Sequence, residues 1–354
     1  MLDIDTSSPA LVTGATGYVA GILVKRLLEA GVTVHAAVRD PSKQEKVKYL
    51  DEIAAASPGK IEYFKADLMD TGSYAEAMEG CSIVFHTASP FKLNVKDPQK
   101  ELVEPAKLGT RNVLNEATKT PSVKRVVVTS STAAISGDNI DLQKTQNGRF
   151  TEEDWNTTSS LTHNPYSYSK TEAEKEAWKI AEGQNQWELV TINPSAVMGP
   201  GLDAHAASES MDIIRQMGDG SMRIGAPNIG IGVVDVRDVA EAHLAAAYSP
   251  NARGRYLIAG HNSSFADLAF TLLPEYGKQY PIPRRIIPKW IIWLVAPLAS
   301  ASMTRKIISN NAGYPWIGDN SKSVRELGMS YRPLEETMND FFQQMIDNNV
   351  FDSN

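Results

Sequence analysis

The chain has 354 residues, 42% of them hydrophobic, which is material for one large core or two smaller ones. Its 35 basic and 42 acidic residues leave a net charge of −7, so no basic surplus exists to neutralise a phosphate backbone, and nucleic-acid binding is not expected. The one cysteine, Cys81, excludes an internal disulfide and a cysteine-built metal site; no metal is expected, and the cytoplasm is the expected compartment.

Met1-Leu2-Asp3-Ile4-Asp5 carries two acids and no basic patch, so a cleaved signal is not expected. From there, short β-rich runs alternate with helical stretches: Ala10 to Thr13, Val32 to Val38, Ile61 to Lys65, Ser82 to Thr87, Arg125 to Thr129 and Leu189 to Asn193. That rhythm predicts an α/β fold with a doubly wound parallel sheet. The first helix sets Val19, Leu23 and Leu27 on one face and ends at Ala30-Gly31, where glycine suits a left-handed terminus. After Pro194 the alternation breaks, and Gly, Pro and Met become frequent from Met198 to Pro227. Gly232 to Val234 and Arg255 to Ala259 read as strands returning to the sheet or its edge, with a helix from Val236 to Tyr248 between them, and the remainder reads as mostly helical. Trp290 to Ala299 is far shorter than the roughly 20 apolar residues of a membrane span. It is expected to be a buried helix, with a membrane-surface or partner-binding helix as the alternative, and no membrane partner is expected.

Thr13-Gly14-Ala15-Thr16-Gly17-Tyr18-Val19-Ala20 joins the first strand to the first helix. Gly14 permits a tight turn, Gly17 lets backbone approach a pyrophosphate, and Ala20 allows close packing of helix on sheet while the helix N-terminus faces the anion. This is the Rossmann-type arrangement for a dinucleotide, with Gly14, Thr16, Gly17, Tyr18 and Val19 as expected contacts. The residue ending the second strand meets the adenine ribose. NAD binders usually place an acid there, whereas this chain reads Val38-Arg39-Asp40-Pro41 followed by Lys43 and Lys46. A guanidinium can grip a 2′-phosphate with two hydrogen bonds, so Arg39 points to NADP(H). If the strand ran one residue further, the Asp40 carboxylate would take the ribose hydroxyl instead. Asp67 and Leu68, after the third strand, are placed to bound the adenine; Asp67 could equally cap a helix from Met69 to Ala77.

Asn164-Pro165 reads as a cap and first-turn proline opening a helix from Pro165 to Ala181. Tyr166 and Lys170 are then neighbours one turn apart on a single face. A free phenol titrates near about pH 10, so proton transfer at neutral pH calls for positive potential, which an ammonium and a helix N-terminus supply. Val126-Val-Val-Thr-Ser-Ser131 is an apolar strand ending in hydroxyls at its carboxyl end, where ligands bind in such sheets. A hydroxyl there can hold a carbonyl oxygen.

Glycine loop, strand-end serines and Tyr-x-x-x-Lys, in that order, resemble the extended short-chain dehydrogenase/reductases. Within that group the chain resembles the dihydroflavonol reductase, cinnamoyl-CoA reductase and microbial carbonyl reductase branch. The likeness covers nearly the whole length and includes Phe85-His86-Thr87-Ala88, Asn193-Pro194-Ser195, Val234-Asp235-Val236-Arg237-Asp238-Val239-Ala240 and Leu327-Gly328 through Tyr331-Arg332-Pro333-Leu334. It implies hydride transfer from a nicotinamide to a carbonyl carbon while Tyr166 protonates the oxygen, Ser131 polarises that oxygen, and Lys170 holds the nicotinamide ribose and lowers the tyrosine pKa. Ser130 is the reserve for Ser131. Lys46 matches a second phosphate-gripping position, Thr87 and Ala88 the cofactor wall, and Pro194 to Val197 the nicotinamide contact, while His86 reads as a packed histidine. Where many members carry an asparagine, this chain has Leu108, which puts an asparagine-assisted relay in doubt, and Asn112 is better explained by a structural hydrogen bond. The segment from Gly137 to Phe150 points to no particular phenolic substrate, and no coenzyme A signature is present.

The expectation is an NADPH-dependent reductase of aldehydes or ketones, monomeric or homodimeric. Its cofactor-binding domain would span 1–196 with 228–262 returning to it. A smaller, mostly helical substrate-binding region would comprise 197–227 and 263–354, the pocket drawing on Met198 to Pro227 and on Trp290 to Leu298. Two alternatives remain: a nucleotide-sugar epimerase or dehydratase with tightly held NAD, against which Arg39 speaks, and a non-catalytic dinucleotide sensor, which has no need of Ser131, Tyr166 and Lys170 together.

Overall fold

The computed structural model describes residues 2–89, 95–202, 209–299 and 303–351. Its centre is a parallel sheet of strands β1 (Ala10–Thr13), β2 (Thr33–Val38), β3 (Lys60–Lys65), β4 (Ile83–His86), β5 (Arg125–Thr129), β6 (Glu188–Pro194) and β10 (Gly254–Ile258), in the order β10-β6-β5-β4-β1-β2-β3. Strand order reverses between β1 and β4, which opens a crevice at their carboxyl ends. Because both sheet faces are covered, the central strands are apolar throughout: Val12 faces one layer and its neighbour Leu11 the other. On one face Leu23, Leu27 and Leu28 of α1 (Tyr18–Glu29) and Val239 and Leu244 of α7 (Val236–Tyr248) pack, near Leu50 of α2 (Gln44–Ala55). The other face is covered by α3 (Ala75–Met78), α4 (Glu104–Lys119) and α5 (Pro165–Glu182), through Met78, Val113, Leu114 and Ala177.

Of the two strands expected to return, β10 takes the sheet edge beside β6, but β9 (Gly230–Asp235) does not join the sheet. It pairs with β7 (Ala196–Met198) and β11 (His261–Ser264) in a separate sheet. The change of sheet begins at Pro194, which has no amide to continue the ladder. Gly230 and Gly232 then let the backbone of β9 lie against Trp316, whose atoms come within 2.3 Å of where a Cβ would sit at either position. The helix expected from Met69 to Ala77 is only α3. Gly72, at φ +85, keeps the preceding residues in turns, so the Asp67 carboxylate accepts the Met69 amide (2.8 Å) in a turn rather than at a helix start.

The C-terminal part is mostly helical: α8 (Phe265–Thr271), α9 (Leu273–Tyr276), α10 (Lys289–Ala299), α11 (Arg305–Asn311), α12 (Ser321–Leu327) and α13 (Leu334–Asp347), with α6 (Glu209–Gly218) added from the preceding region. A short pair, β8 (Ala226–Pro227) and β12 (Ile286–Ile287), lies among them. Met211, Ile214, Leu268, Phe341 and Phe342 form this region's core. Two carboxylates at the start of α7 tie it to the sheet. Asp235 accepts from Arg237 and from Thr337, Arg237 also donates to Asp340, and Asp238 pairs with Arg332. The expectation of a buried helix over Trp290 to Ala299 is overturned: α10 forms, yet Trp290 is 67% exposed. Its buried apolar stripe among the described residues is Ile292, packed against Ile308 and Ala312 of the α11 segment. Among the described residues no helix is long and apolar enough to cross a membrane.

Beneath the carboxyl ends of β5 and β6 sits a buried ion pair. Arg255 of β10 donates from Nε to Oε1 of Glu174 on α5 (2.6 Å), and Arg255 stacks on Trp155 at 3.9 Å. Removing one member leaves the other charge buried without compensation. Arg255→Met is therefore expected to lower stability by about 3–5 kcal/mol, read from denaturant unfolding; a loss under about 1 kcal/mol would show that the pair is not a structural requirement.

Candidate active site

The glycine loop starts where β1 ends. Gly14, at φ +63, occupies the left-handed region, and a Cβ there would lie 3.0 Å from that of Ala88. Gly17 is the N-terminal cap of α1, with no side-chain cap bond and no acid in the first turn, so the first amides, including those of Tyr18 and Val19, face an uncompensated positive end. Strand β4 is locked beside this loop by Thr13. Its Oγ1 accepts the amides of Thr87 (3.1 Å) and Ala88 (3.0 Å), which leaves its hydrogen for His86 Nδ1 (3.1 Å). Burial pushes His86 down to about 3, and Lys170 adds to this, so the ring is a neutral packing element, as expected. The Tyr18 phenol is committed elsewhere: it donates to the Gly199 carbonyl, and burial raises its pKa far above the ordinary range.

Strand β2 ends at Val38, so Arg39 is the first residue beyond it. Arg39 is exposed, with no hydrogen bond or ion pair among the described residues. Asp40 is already engaged: its Oδ1 accepts the Ser42 hydroxyl (2.6 Å) and amide (3.1 Å), bonds that hold its carboxyl below the usual range. Lys46 is exposed in the first turn of α2 on the same side. Across the crevice, Asn112 Nδ2 donates to the Leu68 carbonyl (2.7 Å), and its Oδ1 accepts from Thr71 (3.2 Å), so Asn112 fixes the turn that presents Asp67 and Leu68. Leu108 lies exposed on α4. The open cradle at Gly14 and Gly17, the uncapped helix end and the unpaired Arg39 fit a dinucleotide with an extra phosphate.

Helix α5 carries Tyr166 in its first turn and Lys170 one turn on, with Nζ 5.8 Å from the Tyr166 ring. Asn164 holds the cap position in the left-handed region (φ 53), but its side chain makes no cap bond; its carbonyl takes the Tyr168 amide instead. The two serines after β5 both border a hollow of about 600 Å³ shared with Tyr166, Lys170, Asn164, Pro194 and Val197, but Ser130 is buried and donates its proton to Glu174 Oε2, whereas Ser131 Oγ accepts the Ala133 amide (3.1 Å) and keeps its own proton. Asn193 Nδ2 donates to both Glu174 (2.6 Å) and the Ser131 carbonyl (3.1 Å), linking the position of Ser131 to that of α5. The far wall holds Ile213, Phe265 and Trp316. Among the described residues α10 contributes nothing to this lining, and residues 203–208 of the loop expected to contribute lie outside them, as does the Leu298 side chain.

The electrostatics depart from expectation at Tyr166. Burial, with the Glu209 carboxylate adding to it, raises the phenol above its ordinary value, and no lowering by Lys170 offsets this. Burial outweighs the ammonium because Lys170 is itself desolvated, down to about 8. The phenol is thus protonated across the neutral range and is a proton donor in this state. Lys170 Nζ donates to Ser89 Oγ (3.0 Å), a residue that the sequence reading missed although it directly follows the Thr87-Ala88 pair. Glu209 and Trp316 were missed as well; each is brought from a distant part of the chain without a local signal.

With this geometry in place, comparison with known proteins gives a consistent answer. Residues 10–259 match the model of the NAD dependent epimerase/dehydratase family, and the chain belongs to that family. It is 35% identical over 340 residues to a cinnamoyl-CoA reductase of Medicago truncatula, covering 94% of each chain. In structure it resembles the Gre2 protein of Candida albicans in complex with NADPH (TM-score 0.75, 28% identity, covering 96% of this chain and 99% of that one). It also resembles the yeast methylglyoxal/isovaleraldehyde reductase Gre2 complexed with NADPH (TM-score 0.76, 26% identity, covering 97% and 99%). The resemblance to extended short-chain reductases and the expected fold class both hold.

The depressed Lys170 has a thermodynamic consequence. Between its value of about 8 in the fold and the ordinary 10.5, the unfolded chain binds more protons, so this group makes stability rise with pH across that window, and its full penalty is present below it. Lys170→Met should exceed the parent in stability at neutral pH by on the order of 1–3 kcal/mol, allowing for partial exposure, with the gap closing as pH approaches the upper limit. Denaturant unfolding of both proteins at the two ends of the window checks this. A gap that does not change with pH would contradict it.

Proposed function

We propose that this member of the NAD dependent epimerase/dehydratase family is an NADPH-dependent reductase that converts aldehydes or ketones to alcohols. The observation that carries the reading is the convergence of Ser131, Tyr166 and Lys170 on one hollow at the carboxyl end of β5, beside a glycine loop and an unpaired Arg39. The reductases named above, two of them bound to NADPH, support it. In this reading residues 1–196 with 228–262 bind the cofactor, and 197–227 with 263–354 form the substrate-binding region.

Backbone at Gly14, Thr16, Gly17, Tyr18 and Val19 holds the pyrophosphate at the start of α1. Arg39 and Lys46 hold the 2′-phosphate, Asp67 and Leu68 bound the adenine, and Thr87 and Ala88 form the wall. Pro194 and Val197 border the nicotinamide, whose reduced form supplies a hydride when bound. Lys170 grips the adjoining ribose. Ser131 donates its hydroxyl to the substrate carbonyl oxygen, and Tyr166 delivers its proton to that oxygen as charge develops there. Ile213, Phe265 and Trp316 suit a carbonyl compound with an apolar body. Because Lys170 titrates near neutrality, its ammonium is present at physiological pH and lost in mild alkali.

Tyr166→Phe keeps the ring and removes the proton. Carbonyl reduction should fall by about 10²–10⁴-fold, while NADPH binding, read by fluorescence titration, stays near that of the parent. Unchanged turnover would remove Tyr166 from the mechanism. Arg39→Ala should raise the KM for NADPH by about 10–100-fold and leave that for NADH nearly unchanged; equal losses for both would assign the ribose contact to Asp40.

A further inference from the structure

Helix α10 and its flanks differ from the rest of the molecule in both charge and exposure. Between Glu275 and Asp319 the sequence holds Lys278, Arg284, Arg285, Lys289, Arg305 and Lys306 and neither Asp nor Glu, in a chain of net charge −7. All six are exposed, and among the described residues none has a carboxylate partner. Their contacts are neutral: Arg284 donates to the Gly277 carbonyl, Arg285 to that of Ile224 and Lys289 to that of Ser309, while Arg305 lies 4.7 Å from the Trp293 ring. Cations left unneutralised by the fold keep their field for an anion outside it.

Several large apolar side chains between these cations point outward. Trp290, Trp293, Leu294 and Val295 are all exposed, Leu294 by 52%, and the opposite stripe, Ile292, is the one that packs inward. Ile286 on β12 and Ile224 beside it extend the apolar surface. Of the six tryptophans in the chain, only Trp290 and Trp293 are exposed. Indole, with an apolar body and one N–H donor, favours the boundary between hydrocarbon and water. A two-fold contact with a second copy across α10 would set one cluster of cations against its own like. An anionic bilayer instead neutralises them and receives the apolar ridge. The helix has 11 residues, about 17 Å, well short of the roughly 30 Å of hydrocarbon.

We propose that α10, flanked by Arg284, Arg285, Arg305 and Lys306, seats this face on a membrane surface rich in anionic phospholipid, with Trp290, Trp293 and Leu294 entering the headgroup region. The attachment is peripheral and independent of the reductase reading. It is tested on the full chain by co-sedimentation with vesicles of phosphatidylcholine alone and of phosphatidylcholine with phosphatidylserine, and by quenching of tryptophan emission with brominated lipid in the second set. The expected result is partition to the anionic vesicles only, weakened by salt, with emission quenched. The combined Arg284→Gln, Arg285→Gln, Arg305→Gln and Lys306→Gln variant should lose at least about tenfold in partitioning. Trp290→Ser with Trp293→Ser and Leu294→Ser should lose a similar amount, with NADPH binding and thermal unfolding kept. Absence of binding by the parent at low salt, equal binding to both vesicle types, or lack of quenching overturns the proposal. So does a concentration-dependent dimer in sedimentation, without vesicle binding, that the tryptophan variant disperses; that result assigns the face to a second copy.

Discussion

The Glu174 carboxylate is the interaction on which the arrangement of the site depends. It is 1% exposed and accepts from Arg255 of β10, Asn193 and Thr191 of β6, Ser130 after β5 and Trp178 on its own helix. A lone charge at that depth would be prohibitive; five donors make it tolerable and give it direction. Three sheet strands and α5 are thereby registered to one another through this one carboxylate. Tyr166 and Lys170 ride on α5, and Ser131 follows Ser130, so their common hollow is a consequence of this one desolvated group.

The same network explains the division of labour between two adjacent hydroxyls. Ser130 spends its proton on Glu174 and becomes part of the frame, while Ser131, one residue on, uses a lone pair on the Ala133 amide and keeps its proton. On the neighbouring strand end, Thr13 plays a comparable part. By accepting two amides of the β4 loop and donating to a neutral His86, it holds the glycine loop and the wall at Thr87 and Ala88 in fixed relation. Both devices are buried polar groups whose hydrogen bonds are satisfied within the protein, and such bonds specify geometry more than they add net stability.

Around this rigid centre the substrate side is assembled from distant pieces. Trp316 reaches the hollow only because Gly230 and Gly232 leave room for it, and its indole N–H is anchored on Ser136 (3.0 Å). The helices beyond are held to the sheet by Asp235 and Asp238, so these carboxylates of the family motif at Val234 to Ala240 join the two regions. Helix α10 is the part left out of this packing, and its charge and exposure give it a surface of its own.

By itself the sequence determined the strand and helix alternation, the glycine loop, the order of the chemical groups and the placement of Arg39 just after β2, because these rest on local periodicity, backbone freedom and spacing along one helix. It also read Asn112 and His86 correctly as structural, since each has a simple packing explanation. Only the tertiary structure decided that Ser130 is committed to Glu174, that Asp40 is occupied by Ser42, that β9 leaves the main sheet, and that α10 is exposed. Tyr166 makes the physical reason plain. Its spacing from Lys170 is fixed by the helix, but its proton affinity is set by desolvation and by Glu209 from a remote segment, and burial is a property of the folded whole that no run of residues carries.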